Sequence, residues 1–366
     1  MPTSILLVGT PKGAFILERA ADEGGGPDDW AIRGPLCEGW PIHDLIVEPG
    51  GGALLAAGGS PWYGPAVWRS QDLGVSWTHS SVGLTFGDDG GTSQEPIKTV
   101  WSLAVTPDGA ILAGVEPAAL FRSEDRGATW SQVTGLTEHE SRPTWQPGAG
   151  GLILHTIIPH PTDLQRTWVG ISAVGVFETL DGGATWEPRN QGVRADFNPD
   201  PHPITGQCVH KFAAAAGEPE TLYQQNHCGM YRSSDGGLSW TDLTANGLPS
   251  QFGFPLVAHP RDPDTFWIIP LNGDDRGRYV PGASAAVWRT QDRGETWIRF
   301  GDGLPQQDAY LSVLREAMAR DTSEPVGITF GTKTGQLWHS DDDGVNWQLI
   351  TRDLPEIWAV EALVRD

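Results

Sequence analysis

Three of the ten histidines open segments that resemble one another: "HDLIVEP" from His43, "HTIIPHP" from His155 and "HKFAAAA" from His210. Aligned on the proline or its equivalent six residues later, four further segments join them. These are "WSLAVTP", "FPLVAHP", "YLSVLRE" and "WAVEALV", which begin with Trp101, Phe254, Tyr310 and Trp358. All seven first positions are aromatic or imidazole, whereas an interior that is merely packed would use small and branched side chains. Three chemistries fit such a ring. The imidazoles can hydrogen-bond carbonyls around a wet channel. They can converge from separate elements on one divalent transition metal and leave positions open for substrate. They can also act as acid or base in a metal-free pocket for a sugar or aromatic ligand.

A second set of reactive residues lies close in sequence to His210. In "GQCVHKFAAAAGEPETLYQQNHCGMYRS" a turn near Gly217–Glu220 folds the chain into a hairpin. Antiparallel pairing sets His210 opposite Asn226 or His227 and Cys208 near Cys228. Gln207, Gln225 and His227 join the same cluster. The metal reading therefore takes His43, His155, His210 and His227 as ligands. The catalytic reading takes His43, His155 and His210, with Trp101, Tyr310, Trp358, Gln225 and Arg276 shaping the ligand site. Cys208 and Cys228 can pair, ligate metal or stay as free thiols.

These residues need a scaffold that repeats. The pattern Ser/Thr-x-Asp-x-Gly-x-x-Trp occurs six times, at 70–77, 123–130, 179–186, 233–240, 290–297 and 340–347. Its aspartates are Asp72, Asp125, Asp181, Asp235, Asp292 and Asp342, spaced by 50 to 57 residues. An Asp side chain that accepts backbone N–H groups closes a tight turn. The Gly permits positive φ, and the Trp provides a flat anchor against a neighbouring unit. Before each box the chain shows three short strands with turn signals between them, and one strand follows it, as in "VWSLAVTPDGAILAGVEPAALFRSEDRGATWSQV". Four short antiparallel strands per repeat read as one propeller blade.

The N-terminus holds a worn repeat, "ILLVGTPKGAFILERA", with Trp30 but no intact box and no first strand. The missing strand matches "EIWAVEALV" at 356–364. The expected fold is therefore all-β: a seven-bladed β-propeller of four-stranded antiparallel blades spanning 1–366 as one domain. Blade 7 is split between 356–366 and 1–35, and the C-terminal strand closes the ring.

The six boxes resemble the BNR/Asp-box repeats of the sialidase-like propeller superfamily. That resemblance implies the fold and a range of functions, including glycoside hydrolases and non-catalytic assembly factors. It places the boxes on the face opposite the usual active site. True sialidases grip a carboxylate with three arginines, the first in an Arg-Ile/Leu-Pro motif, and attack with a Tyr. No such motif occurs here, and Tyr231 precedes a box where the repeat uses a packing residue. Other glycosidases need two carboxylates, for which Glu95, Glu116, Asp196 and Asp200 are candidates.

Bulk properties narrow the partners. A net charge of −22 repels phosphate backbones and anionic membranes, so neither nucleic acid nor membrane is expected. The three cysteines form no scaffold spacing, and "MPTSILLVGTPKG" lacks both a basic start and a long apolar run. No signal peptide and a cytoplasmic setting are the expectation. The long segments 79–99, 134–151, 190–207 and 271–285 would all fall on one face, where repeat proteins carry ligand sites. Together these features point to an enzyme acting on a small sugar-derived or acidic ligand at the channel mouth. It would be of glycoside-hydrolase type, or a lyase or oxygenase dependent on an axial divalent metal. The alternative is a scaffold that holds a protein partner.

Overall fold

The computed structural model describes residues 3–20, 29–87 and 95–365. Parts of the split blade (1–2, 21–28 and 366) and residues 88–94 of the long segment 79–99 lie outside the described residues. Seven four-stranded antiparallel sheets follow one another along the chain, each meandering from an innermost to an outermost strand. The innermost strands of blades 1 to 6 are Ile42–Val47, Thr99–Val105, Leu154–Pro159, Val209–Ala215, Phe252–Ala258 and Met318–Arg320. Blade 7 combines Ala359–Arg365 with Thr3–Thr10, Gly13–Ala20 and Ala31–Leu36. Its C-terminal strand pairs antiparallel with the N-terminal one, from Gly9 opposite Ala359 to Thr3 opposite Arg365. The ring is closed as the split repeat predicts.

Blades pack face to face through layers of buried apolar side chains. One layer gathers Leu112, Leu154, Val169 and Phe177, and another Trp168, Val176, Phe212 and Tyr231. Near the axis the sheets come too close for some side chains. A Cβ on Gly114 would lie 2.4 Å from the carbonyl oxygen of Leu154 in the next blade, so only glycine fits there.

The boxes share one hydrogen-bond pattern. In blade 1 the Ser70 hydroxyl donates to Asp72 Oδ1 (2.8 Å) and accepts from the Gly74 N–H (2.7 Å). The backbone N–H and hydroxyl of Ser76 donate to Asp72 Oδ1 (2.9 Å) and Oδ2 (2.6 Å). The carboxylate therefore reaches four residues on, rather than the two expected for a simple Asx turn. Gly74 takes φ of 76°, as the pattern requires. The box tryptophans also couple neighbouring blades. The N–H groups of Trp130, Trp240 and Trp347 donate to Val82, Gln191 and Asp302 in the outer segments of the preceding blades (2.9, 2.9 and 3.0 Å).

Chain direction sets the two faces of the ring. Each innermost strand starts on one face, and so the box between the third and fourth strands falls on the other. The segments leading into the innermost strands, and the loops between second and third strands, share the face where His43, His155 and His210 begin.

Hydrogen bonds from the following Ser or Thr hydroxyl lower Asp72, Asp125 and Asp181 from 3.8 to about 2. Carboxylates depressed in the folded state stabilise it above the unfolded value and lose that contribution as pH falls through the folded one. Urea midpoints of the protein are therefore expected to drop between pH 4 and pH 2. D125N should lower the midpoint at pH 7 and show a shallower acid fall. Parallel pH profiles for D125N and the unaltered protein would contradict this role.

Candidate functional site

The axial residues are presented by a shared irregularity. Near its start each of the first five innermost strands breaks register with its neighbour: between Ile42 and Asp44, Val100 and Ser102, Leu154 and Thr156, Val209 and Lys211, and Gly253 and Leu256. The extra residue of such a bulge is unpaired and can be re-aimed. Here it is His43, Trp101, His155 or His210 in the first four blades, and the two-residue step of the fifth contains Phe254. This explains the aromatic and imidazole ring legible in the sequence.

In blade 6 the sequence alignment needs correction. The innermost strand is Met318–Arg320, and the chain before it is irregular. The neighbouring residue Glu316 bridges to Ala359 of blade 7, and the Val360 N–H donates to its carbonyl (2.8 Å). Arg315 therefore holds the axial place that the alignment assigned to Tyr310. Tyr310 is 65% exposed, with its ring against Tyr279. An insertion upstream of a short strand leaves no periodic trace, so the shift was invisible in the sequence.

His43, Trp101, His210, Phe254, Arg315 and Trp358 line one cavity of about 590 Å³ at the channel mouth. Gly148–Gly150, Phe197, Cys208, His227, Asp274 and Arg278 complete its wall from the loops of the same face. His43 is stacked on Trp358 (4.7 Å between centroids, 18° between planes) and tilted against Trp101 (4.3 Å). Burial lowers its pKa to about 4, so it is neutral at physiological pH, and its Nδ1 has no partner. Trp101 is held by its indole N–H, which donates to Glu116 Oε2 (3.2 Å). Two aromatic planes and a neutral imidazole thus stand together at the mouth.

His155 is used differently. Its Nε2 lies 3.0 Å from the carbonyl of Val209 in the next blade and its Nδ1 2.9 Å from the Thr156 hydroxyl. Both ring nitrogens are occupied, and the ring lines a lower part of the channel. This is the carbonyl-bonding role among the readings offered by the sequence. His210 makes a similar forward bond, with Nδ1 2.6 Å from the carbonyl of Gly253. Its Nε2 remains free of backbone and sits 3.6 Å from Cys208 Sγ.

The set of four histidines therefore does not form one metal centre. Instead Cys208, His210 and His227 offer donor atoms that all lie within 4.8 Å of one another. The hairpin register explains the set. Val209 pairs with Asn226, and the His227 N–H donates to the Cys208 carbonyl (3.0 Å), so residues 208 and 227 face each other. Cys208 and Cys228 remain free thiols.

The other expected residues fall outside the cavity wall. Gln225 is buried, and its amide donates to the carbonyls of Asn226, Gly229 and Gln251, which makes it an internal brace. Arg276 is exposed beside Asp275, whereas Arg278 on the same loop reaches the cavity and pairs with Asp274. Tyr231 is buried and donates to the Cys228 carbonyl (3.2 Å), a packing role. Among the proposed carboxylates, Glu95 and Glu116 share Lys98 at a separate pocket. Asp196 pairs with Arg194, and Asp200 accepts the His202 N–H.

Arg315 and Asp274 are among the cavity residues that escaped sequence reasoning. Arg315 is partly buried, its Nη1 is buried without a hydrogen-bond partner, and desolvation lowers its pKa. Asp274 is kept below the usual carboxylate range chiefly by its hydrogen bond to Arg278. Farther down the channel Lys211 pairs with Glu316, which borders both cavities. Asp44 is pushed well above the usual carboxylate range by burial, then by Glu316.

Fold and boxes together define a BNR/Asp-box β-propeller of sialidase-like architecture. The BNR-Asp box repeat family matches residues 120–133, the box region of blade 2. A xyloglucanase of Paenibacillus sp. is 25% identical over 296 residues, covering 73% of this chain and 26% of the relative. An oligoxyloglucan-reducing end-specific xyloglucanase of Emericella nidulans is 24% identical over 226 residues, covering 53% and 26%. The chain thus spans about a quarter of these relatives. Among solved structures, a GH74 enzyme of Niastella koreensis superposes with a TM-score of 0.54 at 13% identity, covering 98% of this chain and 66% of that one. The structure described as YCF48 bound to D1 peptide superposes with a TM-score of 0.54 at 12% identity, covering 85% and 82%. The chain is a β-propeller with BNR/Asp-box repeats that is similar, at low identity, to part of these xyloglucanases.

Burial raises Glu361, in the channel wall, from 4.5 to about 7, against the opposing effect of Arg320. A carboxyl raised in the folded state stabilises it at low pH and loses that contribution as pH rises from 4.5 through 7. E361Q is expected to match the parent near pH 4 and exceed its stability at pH 8, by on the order of 1–3 kcal/mol. Equal urea midpoints at pH 8 would mean that Lys211 and Arg320 already neutralise the carboxylate.

Proposed function

We propose that the channel mouth binds an acidic, sugar-derived small molecule and that the protein is a carbohydrate-active enzyme of glycoside-hydrolase-like type. The observation that carries this reading is Arg315. A guanidinium nitrogen buried without a partner is costly unless a ligand completes it, and this partly buried side chain opens into a cavity walled by Trp101, Trp358 and His43. A planar guanidinium suits a carboxylate, and flat aromatic faces suit the apolar face of a sugar ring. Asp274 stays ionised at neutral pH, the state needed beside the positive charge that develops when a glycosidic bond breaks. Carbohydrate action in the xyloglucanase relatives agrees with a sugar ligand. Their names carry no acidic group, and the carboxylate preference rests on Arg315 alone.

A scaffold reading draws on one feature of the same face. Trp62 is 89% exposed on the loop between the second and third strands of blade 1, where a partner protein would cover it.

Calorimetry with uronic acids, sialic acid and neutral xyloglucan oligosaccharides tests the reading. An acidic sugar should bind, and at about a hundredfold excess over Kd it should stabilise the fold by about 2.7 kcal/mol. R315A should abolish binding, and W101A should weaken it more than tenfold. Neutral oligosaccharides binding equally well to R315A would overturn the carboxylate reading. Failure of every sugar, with a protein partner lost on W62A, would favour the scaffold.

A further inference from the structure

We infer that Cys208, His210 and His227 form a binding site for one Zn²⁺-like transition metal, with its open coordination position facing the channel mouth. The inference does not depend on the sugar reading, since the metal alone is the ligand. Its first support is distance. Bond lengths of about 2.3 Å to sulfur and about 2.0–2.1 Å to nitrogen, at a tetrahedral angle, set the two donors about 3.6 Å apart. Cys208 Sγ and His210 Nε2 lie 3.6 Å apart. The same separation also accommodates a weak S–H···N hydrogen bond, so the thiol and the imidazole are already poised toward each other.

The second support is the tautomer. Because His210 Nδ1 bonds the Gly253 carbonyl at 2.6 Å, the proton resides on Nδ1 and the lone pair on Nε2 points at the sulfur. Such an outer bond is how ligating histidines are oriented and made more basic. It also sets the donor without movement of the ring, since Gly253 belongs to the next blade.

The third donor and the surroundings complete the argument. His227 is held opposite Cys208 by the hairpin, with all donor atoms within 4.8 Å. Its side chain is 28% exposed, and a turn of the ring between Phe197 and Phe252 would close the remaining gap. Phe197, Phe252 and Phe254 pack their rings around the two imidazoles at 4.6–5.3 Å and restrict water. The charges facing the site are Asp274, 3.9 Å from His227 Nε2, and the cations Arg278 and Arg315. Asp274 and the thiolate offset a dication beside the two arginines. One thiol and two imidazoles select Zn²⁺ or Co²⁺ over Mg²⁺ or Ca²⁺, which prefer oxygen. Three protein ligands with one open position is the arrangement of reactive rather than purely structural zinc.

The test titrates the full-length protein with Zn²⁺ and then Co²⁺, without sugar. One equivalent of Zn²⁺ should bind with release of the Cys208 thiol proton. Co²⁺ should give a thiolate charge-transfer band and the intense ligand-field bands of tetrahedral geometry. C208S should abolish the charge-transfer band and weaken Zn²⁺ by more than the roughly 10–100-fold cost of losing an outer partner. H227Q alters a partly exposed ring, keeps the fold, and should weaken Zn²⁺ at least tenfold. An unaltered protein with no charge-transfer band or no stoichiometric Zn²⁺ overturns the site, as does a band that survives in C208S.

Discussion

The ladder between Ala359–Arg365 and Thr3–Thr10 is the interaction on which everything else depends. A propeller is a sheet array whose ends must meet, and until they do each terminal blade exposes an apolar face and an unpaired edge. Joining the two ends of the chain within one blade makes closure part of a hydrogen-bonded sheet. Closure then fixes the distance of every innermost strand from the axis. Residues as far apart in sequence as His43 and Trp358 stack only because of it.

Within that ring the bulges decide which residues face the axis. A regular strand would alternate side chains between the two blade faces, and both faces are packed against neighbours. One extra residue breaks the alternation and turns a side chain toward the axis. The same device serves two ends. At His155 it staples blade 3 to blade 4 through the Val209 carbonyl, while at His43 and Trp101 it furnishes the cavity wall. His210 does both, holding Gly253 with one nitrogen and presenting the other to Cys208. Residue type alone therefore does not separate architecture from chemistry here.

Charge is distributed in a way that the net value of −22 conceals. Four cations line the axis, Arg278 and Arg315 at the mouth and Lys211 and Arg320 below, beside the carboxylates Asp274, Glu316, Asp44 and Glu361. Acidic partners accompany most of them, and Arg315 stands out because one of its buried nitrogens lacks a partner. At the mouth the two arginines are matched in number by Asp274 and Glu316, so it is the unpartnered nitrogen of Arg315, not net charge, that distinguishes the site. Propeller folds host many chemistries, and the site itself must carry the functional argument.

The sequence by itself determined the architecture. Six boxes, a worn N-terminal repeat and an orphan C-terminal strand are local signals with fixed spacing, so the seven blades, their strand order and the closure were all legible. It also revealed the axial ring in blades with regular spacing, because His43, Trp101, His155 and His210 occupy equivalent places before a periodic strand. Tertiary structure alone decided what those residues do. Whether an imidazole nitrogen is occupied depends on a carbonyl in the next blade, some fifty residues away. Arg315 replaced Tyr310 because the segment before Met318–Arg320 does not follow the repeat, and Arg278 rather than Arg276 reached the cavity because of the path of one irregular loop. Repeats are written in local sequence, whereas a site assembled from bulges and loops exists only once the ring has closed.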